Sequence, residues 1–94
     1  MMKIEHVENG KKGFFSVKDE GKQIGKLEYS KLPVGKMTIT HTEVDEKFRG
    51  EGIAKDLVAA TVDHARKNNF KIDPACPYAK KVIDETPEFQ DILA

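Results

Sequence analysis

The sequence contains no tryptophan, four prolines and a single cysteine among its 94 residues. One cysteine, Cys76, excludes an internal disulfide framework and fits a reducing compartment. No uncharged apolar run approaches the roughly 18 residues that a membrane-spanning helix needs. The N-terminus also lacks the apolar segment of a secretion signal. We therefore expect a cytoplasmic protein with no membrane partner.

The sequence also has no excess of charge, because 16 lysines and arginines balance 16 aspartates and glutamates. An even balance gives no electrostatic footprint for nucleic acid, so we predict no nucleic-acid partner. A chain of this length has room for one hydrophobic core rather than two. We expect a single domain over residues 1–94, as a monomer or as a weak dimer formed through a free sheet edge.

The first half of the sequence has the pattern of short strands separated by tight turns. Four segments are rich in β-branched, aromatic and other apolar residues, and glycine, proline or polar residues lie between them. These segments are residues 3–8, 13–18, 23–30 and 36–44. Their close spacing along the chain predicts an antiparallel meander.

The second half changes to the period of a helix. From Ile53, apolar or small residues recur at the spacing of an amphipathic helix, and an asparagine pair ends this pattern. Residues 70–72 are a short strand candidate, which we expect to lie beside the strand that precedes the helix. Proline suits the first turn of a helix, so we predict a short helix over residues 77–83 and a last helical turn from Pro87.

The junction between the fourth strand and the long helix carries the most informative motif, Arg-Gly-Glu-Gly-Ile-Ala at residues 49–54. The first amides of a helix have no partner within the helix, and the helix dipole adds partial positive charge there. Gly50 and Gly52 remove side chains that would keep an anion away. The motif therefore predicts a phosphate or pyrophosphate site built from backbone. The alternative is that the glycines serve only the geometry of the turn.

This junction resembles motif A of the GNAT acyltransferases, whose pattern is Arg/Gln-x-x-Gly-x-Gly/Ala between a strand and a helix. Gly50 and Gly52 match it at the family's spacing, whereas Lys47 stands where the family has arginine or glutamine. The chain is shorter than a usual GNAT domain, and residues 74–78 read Pro-Ala-Cys-Pro-Tyr. It is most similar to the minimal, single-domain branch called the YjdJ type.

The resemblance implies an α/β (α+β) fold with a mixed, mostly antiparallel sheet, a long helix after strand 4 and short C-terminal helices. It implies acetyl-CoA, or coenzyme A, as the cofactor and an amine as the acceptor, either a small molecule or a peptide or lysine amine. The pyrophosphate would lie against the amides of the glycine motif. The candidate cofactor-binding residues are Val44, Lys47, Phe48, Arg49, Gly50, Glu51, Gly52, Ile53 and Ala54.

Two candidate catalytic residues lie at the start of the predicted helix over residues 77–83. Cys76 would precede this helix, where a thiol has a lowered pKa and becomes a better nucleophile or acetyl acceptor. The alternative is that Cys76 is a small buried apolar residue, as free cysteines often are. The resemblance implies that Tyr78 protonates the leaving thiolate. The alternative for Tyr78 is an interfacial aromatic whose hydroxyl lies in water.

His41 is the third catalytic candidate, since a neutral imidazole can act as the general base for an amine. Strict alternation along the fourth strand would place it on the face shared with Met37 and Ile39. Glu43 would share that face and could take the proton through a water molecule. The three histidines and Cys76 show no metal-ligand spacing, so the sequence predicts no metal site.

Two classes of function therefore remain open. The first is an N-acetyltransferase, with direct transfer to the amine or with an acyl intermediate on Cys76. The second is a non-catalytic module that binds coenzyme A or acyl-CoA, which is favoured by the missing walls of the acceptor site. A weaker third option is a protein-interaction domain without a ligand.

Overall fold

The computed structural model describes residues 2–94, which form one five-stranded sheet with helices packed against it. The strand order is the chain order, and the first four strands pair antiparallel while the fifth is parallel to the fourth. This confirms the predicted mixed, mostly antiparallel sheet. The elements are β1 (Met2–Asn9), β2 (Lys12–Asp19), β3 (Lys22–Leu32), β4 (Lys36–Val44), a 3-10 helix (Glu46–Phe48), α1 (Ile53–Lys67), β5 (Lys71–Pro74), α2 (Pro77–Asp84) and a second 3-10 helix (Pro87–Ile92).

The turn between β2 and β3 shows how local sequence sets the meander. It consists of two residues, Glu20 and Gly21, and both have positive φ, 50° and 82°. This is the sense of turn whose twist matches the right-handed twist of the flanking strands. The antiparallel pairing that follows is therefore favoured by the chain between the strands as well as by packing.

The long helix α1 packs closely across the middle of the sheet. A Cβ built at Gly25 on β3 would lie 3.1 Å from Ile53 Cγ2 and 3.3 Å from Leu57 Cδ1. A side chain at Gly25 would push Ile53 or Leu57 away by a few tenths of an ångström, so glycine allows the first turn of α1 to approach the sheet closely. The buried face of α1 consists of Ile53, Ala54, Leu57, Val58, Thr61, Val62 and Ala65.

The core lies between this helix face and the buried side chains of β2 to β5 and α2. β1 is different, because none of its eight residues is buried. It lies at the edge of the sheet and pairs only with β2. Among residues 2–94, neither helix has both the length and the apolar character that crossing a bilayer requires.

A β-bulge interrupts β4 in its second half. His41 pairs with Glu28 on β3, but the next pair along β3 is Tyr29 with Ile39, so Thr40 has no opposite residue. The Thr40 hydroxyl donates a hydrogen bond to the Glu28 carbonyl oxygen at 3.3 Å. An extra residue of this kind reverses which side chains face the core from that point on.

The bulge overturns one sequence prediction. Met37 and Ile39 are buried before it, but Thr42 and Val44 are buried after it, and His41 is exposed. The prediction that His41 shares the face of Met37 and Ile39 was therefore wrong. It assumed strict alternation, which a bulge breaks without an obvious sequence signal.

Candidate functional site

The candidate site begins at the loop that joins β4 to α1, which we call the glycine loop (residues 49–52). Gly50 and Gly52 have φ of 85° and 81°, in the left-handed region that disfavours residues with a side chain. A Cβ at either position would meet nothing within 4 Å. The glycines thus serve the turn geometry, and the space in front of them is also open.

The first amides of α1 are available to a ligand. Gly52 is the N-cap and offers no side chain, and the first amide to bond back to it is that of Asp56, at 3.0 Å from the Gly52 oxygen. Within residues 2–94, the N–H groups of Gly52, Ile53, Ala54 and Lys55 have no protein acceptor. Four unpaired donors at the positive end of a helix dipole form a suitable anion site.

Most of the amides just before these donors are engaged in the turn itself, with Gly50 the exception among residues 47–51. The amides of Phe48, Arg49 and Glu51 each donate to the carbonyl oxygen three residues earlier, and the Lys47 amide donates to Asp45 Oδ1 at 3.0 Å. The available amides therefore form a smaller set than the one the sequence predicted. The side chains of Lys47 and Arg49 are exposed and, within residues 2–94, unpaired with any carboxylate.

Beside the glycine loop, β4 and β5 separate. Their parallel pairing ends where Ile39 lies opposite Pro74, and the Cys76 amide then donates to the Ile39 oxygen at 3.0 Å. In the described part of the chain, residues 40–44 of β4 have no strand partner on this side. Val44 ends this free edge. This opening between residues 40–44 of β4 and the end of β5, which we call the splay, runs from Cys76 toward the glycine loop.

Cys76 occupies the N-cap of α2 and is 8% exposed. Burial raises the pKa of its thiol, but the Ala79 amide, the Thr42 hydroxyl and the Tyr78 amide favour the thiolate and together lower the pKa. Thr42 Oγ1 is buried, and no described residue lies within normal hydrogen-bonding geometry of it. The sequence analysis missed Thr42, because only the bulge turns this hydroxyl inward.

Of the other two catalytic candidates, His41 lies apart from this thiol and Tyr78 follows it by two residues. His41 is exposed, with its Nε2 atom 3.3 Å from Glu43 Oε2, and both side chains lie on the face of β4 opposite to Thr42. Tyr78 lies in the first turn of α2 and is 37% exposed. The structure thus brings Cys76 and Thr42 to one face of the splay and the histidine–glutamate pair to the other.

The fold and the candidate site can now be compared with known families of proteins. The family model for the GCN5-related N-acetyl-transferase domain matches residues 14–92, which is most of the chain. The chain belongs to this family. The resemblance that the sequence motif indicated is therefore confirmed.

Curated relatives carry the name NATD1. The chain is 43% identical over 56 residues to the protein from Xenopus tropicalis, which covers 57% of this chain and 51% of the relative. It is 35% identical over 94 residues to the protein from Danio rerio, covering 95% of this chain and 80% of the relative. The match thus spans about half the length of the frog protein and most of the zebrafish protein.

Solved structures agree with this family. The solution structure of a GCN5-like protein from Staphylococcus aureus superposes with a TM-score of 0.72 at 30% identity, over 96% of this chain and 87% of that one. The ribosomal-protein-S18-alanine N-acetyltransferase from Escherichia coli superposes with a TM-score of 0.69 at 13% identity, over 83% of this chain and 53% of that one. The second likeness shows the shared fold alone.

Proposed function

We propose that this protein binds acetyl-CoA and transfers its acetyl group to an amine. The observation that carries the proposal is the set of four unpaired amides of residues 52–55 at the start of α1, beside Gly52, where a Cβ would meet nothing within 4 Å. Membership in the GCN5-related family supports the same reaction class. The acceptor is a small amine or a peptide or lysine amine.

The residues present fit acetyl-CoA along one continuous path. The free amides and the exposed side chains of Lys47 and Arg49 would hold the pyrophosphate, with arginine the better fork for phosphate oxygens. The free backbone edge of residues 40–44 would hydrogen-bond the peptide-like amides of the pantetheine arm. Bound there, acetyl-CoA supplies an activated thioester.

In this proposal, the amine acceptor approaches from the exposed face of β4, and Cys76 lies on the opposite face. On the exposed face, His41 takes the proton of the amine, and its contact with Glu43 stabilises the imidazolium that results. Tyr78, two residues after Cys76, is the proton donor to the leaving thiolate. Because its pKa is lowered, Cys76 is better suited to be the nucleophile that accepts the acetyl group than to be a proton donor. Direct transfer and transfer through Cys76 both use this arrangement.

The glycine loop is tested by a matched pair of variants. Gly52→Val places a branched side chain in front of the free amides, and we expect coenzyme A affinity to fall at least about tenfold. Gly21→Val is the control, because Gly21 has φ of 82° and open space around it, but lies in the β2–β3 turn. Each variant strains a left-handed residue by about 1–3 kcal/mol.

Isothermal titration with coenzyme A, together with circular dichroism, separates the two effects. Loss of affinity in Gly52→Val but not in Gly21→Val supports the site. Wild-type affinity in a folded Gly52→Val protein would rule out the glycine loop as the pyrophosphate site.

Turnover distinguishes the enzyme from a non-catalytic acyl-CoA-binding module. With excess acetyl-CoA and a panel of amines, the enzyme should release many equivalents of coenzyme A per chain. Release that stops at one equivalent with every amine would contradict transfer and favour the module. Mass spectrometry of wild-type protein and of Cys76→Ala then shows whether an acetyl adduct forms on this thiol.

A further inference from the structure

A second group of chemically active side chains lies at the opposite edge of the sheet from the splay. His6 and Glu8 project from β1, and His64 projects from α1. Glu8 Oε2 is 3.5 Å from His64 Nε2 and 3.8 Å from His6 Nε2, and one ligand atom from each of the three residues lies within 4.8 Å of the other two. β2 and β3 separate this group from β4, so it has no part in the proposed acetyl transfer.

Two of the spacings, 3.5 and 3.8 Å, are close to the spacing of ligands around one ion. Zinc bonds of about 2.0–2.1 Å in a tetrahedron place neighbouring ligand atoms about 3.3 Å apart. The side chains of His6, Glu8 and His64 are 29%, 25% and 22% exposed, so an ion can enter and a water molecule can complete the shell. We propose that these two imidazoles and one carboxylate bind a divalent transition-metal ion, with Zn²⁺ the best match.

Neighbouring residues already orient two of the three ligands. The Phe15 ring stacks on the His6 ring with centroids 4.1 Å apart and planes 5° apart. Lys31 Nζ binds Glu8 Oε1, which leaves Oε2 for the ion. The Tyr29 hydroxyl lies 2.5 Å from His6 Nε2 and donates to Glu8 Oε2 at 3.2 Å. An ion would replace Tyr29 at the imidazole while the hydroxyl keeps its carboxylate partner, as outer-shell groups at metal sites do.

The ion would have a structural effect that can be measured without any acetyl transfer. β1 contributes no buried side chain and is held by its pairing with β2. Coordination by His6 and Glu8 on β1 and by His64 on α1 ties this edge strand to the helix. A ligand that binds only the folded chain raises its thermal midpoint. Zn²⁺ should therefore raise the midpoint and slow amide exchange in β1.

The test is a titration of the full chain with Zn²⁺ alone, followed by imidazole resonances in NMR. We expect His6 and His64 to shift together and saturate at one ion per chain. His64→Gln should weaken Zn²⁺ binding at least about tenfold, since one direct ligand is lost. His41→Gln is the matched control, because His41 also has a carboxylate neighbour, Glu43, yet lies on another strand; its affinity should equal that of the wild type.

A second variant keeps the test decisive if His64→Gln does not fold. His6→Gln removes the other imidazole from the exposed strand β1, so Zn²⁺ should bind at least about tenfold more weakly. Unchanged or tighter binding in His6→Gln would overturn the proposal. So would the absence of binding at millimolar Zn²⁺, a folded His64→Gln protein with wild-type affinity, or shifts confined to His41 and Cys76.

Discussion

At the scale of single residues, the Cys76 thiol shows how its neighbours decide between an inert and a reactive cysteine. Its burial favours the neutral thiol, in agreement with the alternative that Cys76 is a small buried apolar residue. The amides at the start of α2 and the Thr42 hydroxyl act in the opposite direction and prevail. The thiol is thus both buried and activated, so the two alternatives posed by the sequence are not exclusive.

Thr42→Val should make this thiol less reactive. Removing the hydroxyl removes one contribution that lowers the Cys76 pKa, so the pKa should rise toward its ordinary value of 9.0. The rate of iodoacetamide alkylation against pH measures it, with a midpoint below 9.0 in the wild type and a higher midpoint in the variant. Stability should be unchanged or slightly greater, because Thr42 Oγ1 has no full hydrogen bond to lose among the described residues.

Thr38→Val, on the part of β4 that pairs with β5, is the control and should keep the wild-type midpoint. An alkylation midpoint that is the same in wild type and in Thr42→Val would show that the hydroxyl does not act on the thiol.

At the scale of elements, the contact between α1 and β3 positions the first turn of α1, with its free amides, over the sheet. Gly25→Ala should destabilise the protein by about 1–3 kcal/mol, since its Cβ would press on Ile53 and Leu57. Urea denaturation checks this. Gly10→Ala is the comparison, because Gly10 has positive φ but open surroundings and should cost only about 1 kcal/mol. A smaller loss for Gly25→Ala than for Gly10→Ala would contradict the close approach.

The sequence predicts the elements themselves well, for reasons that are local. Period-two runs, glycine turns and the apolar stripe from Ile53 determine strands and helices through neighbours in the chain. The bulge at Thr40 is different, because it depends on how β3 and β4 align across the sheet. The face of His41 and the burial of Thr42 could therefore not be derived from period alone.

The site divides in the same way. The glycine loop consists of consecutive residues, so the sequence could predict that it offers free amides. The sequence could not predict which of these amides form hydrogen bonds within the turn. The group of His6, Glu8 and His64 could not, because its members come together only when β1 lies beside α1. Ligand spacing along a chain reveals a site within one element, and this site bridges two elements far apart in sequence.

At the scale of the whole molecule, the chain folds back to close its own core. Its radius of gyration is 12.5 Å, and about 12.4 Å is typical of a single domain of this length. The C-terminal segment returns to the edge strand β5 and to α1, where the Ala94 amide donates to the Ile72 oxygen at 2.9 Å and Arg66 Nη2 lies 2.5 Å from Asp91 Oδ1. The two halves of the sequence therefore share one core.

This shared core predicts a single cooperative unfolding transition for residues 1–94. In urea, the far-ultraviolet circular dichroism of the backbone and the near-ultraviolet signal of the tyrosines should change at the same concentration. Two separated transitions would show that the meander and the helical half unfold independently, against the prediction of one domain.

The central claim concerns the unpaired amides at the start of α1, and one measurement tests it most directly. Uniformly ¹⁵N-labelled protein is titrated with coenzyme A, and the perturbed backbone amides are mapped. The account predicts the largest shifts at residues 52–55 and along residues 40–44. A saturating titration that leaves these amides unperturbed, or no shift at all at millimolar coenzyme A, would contradict it.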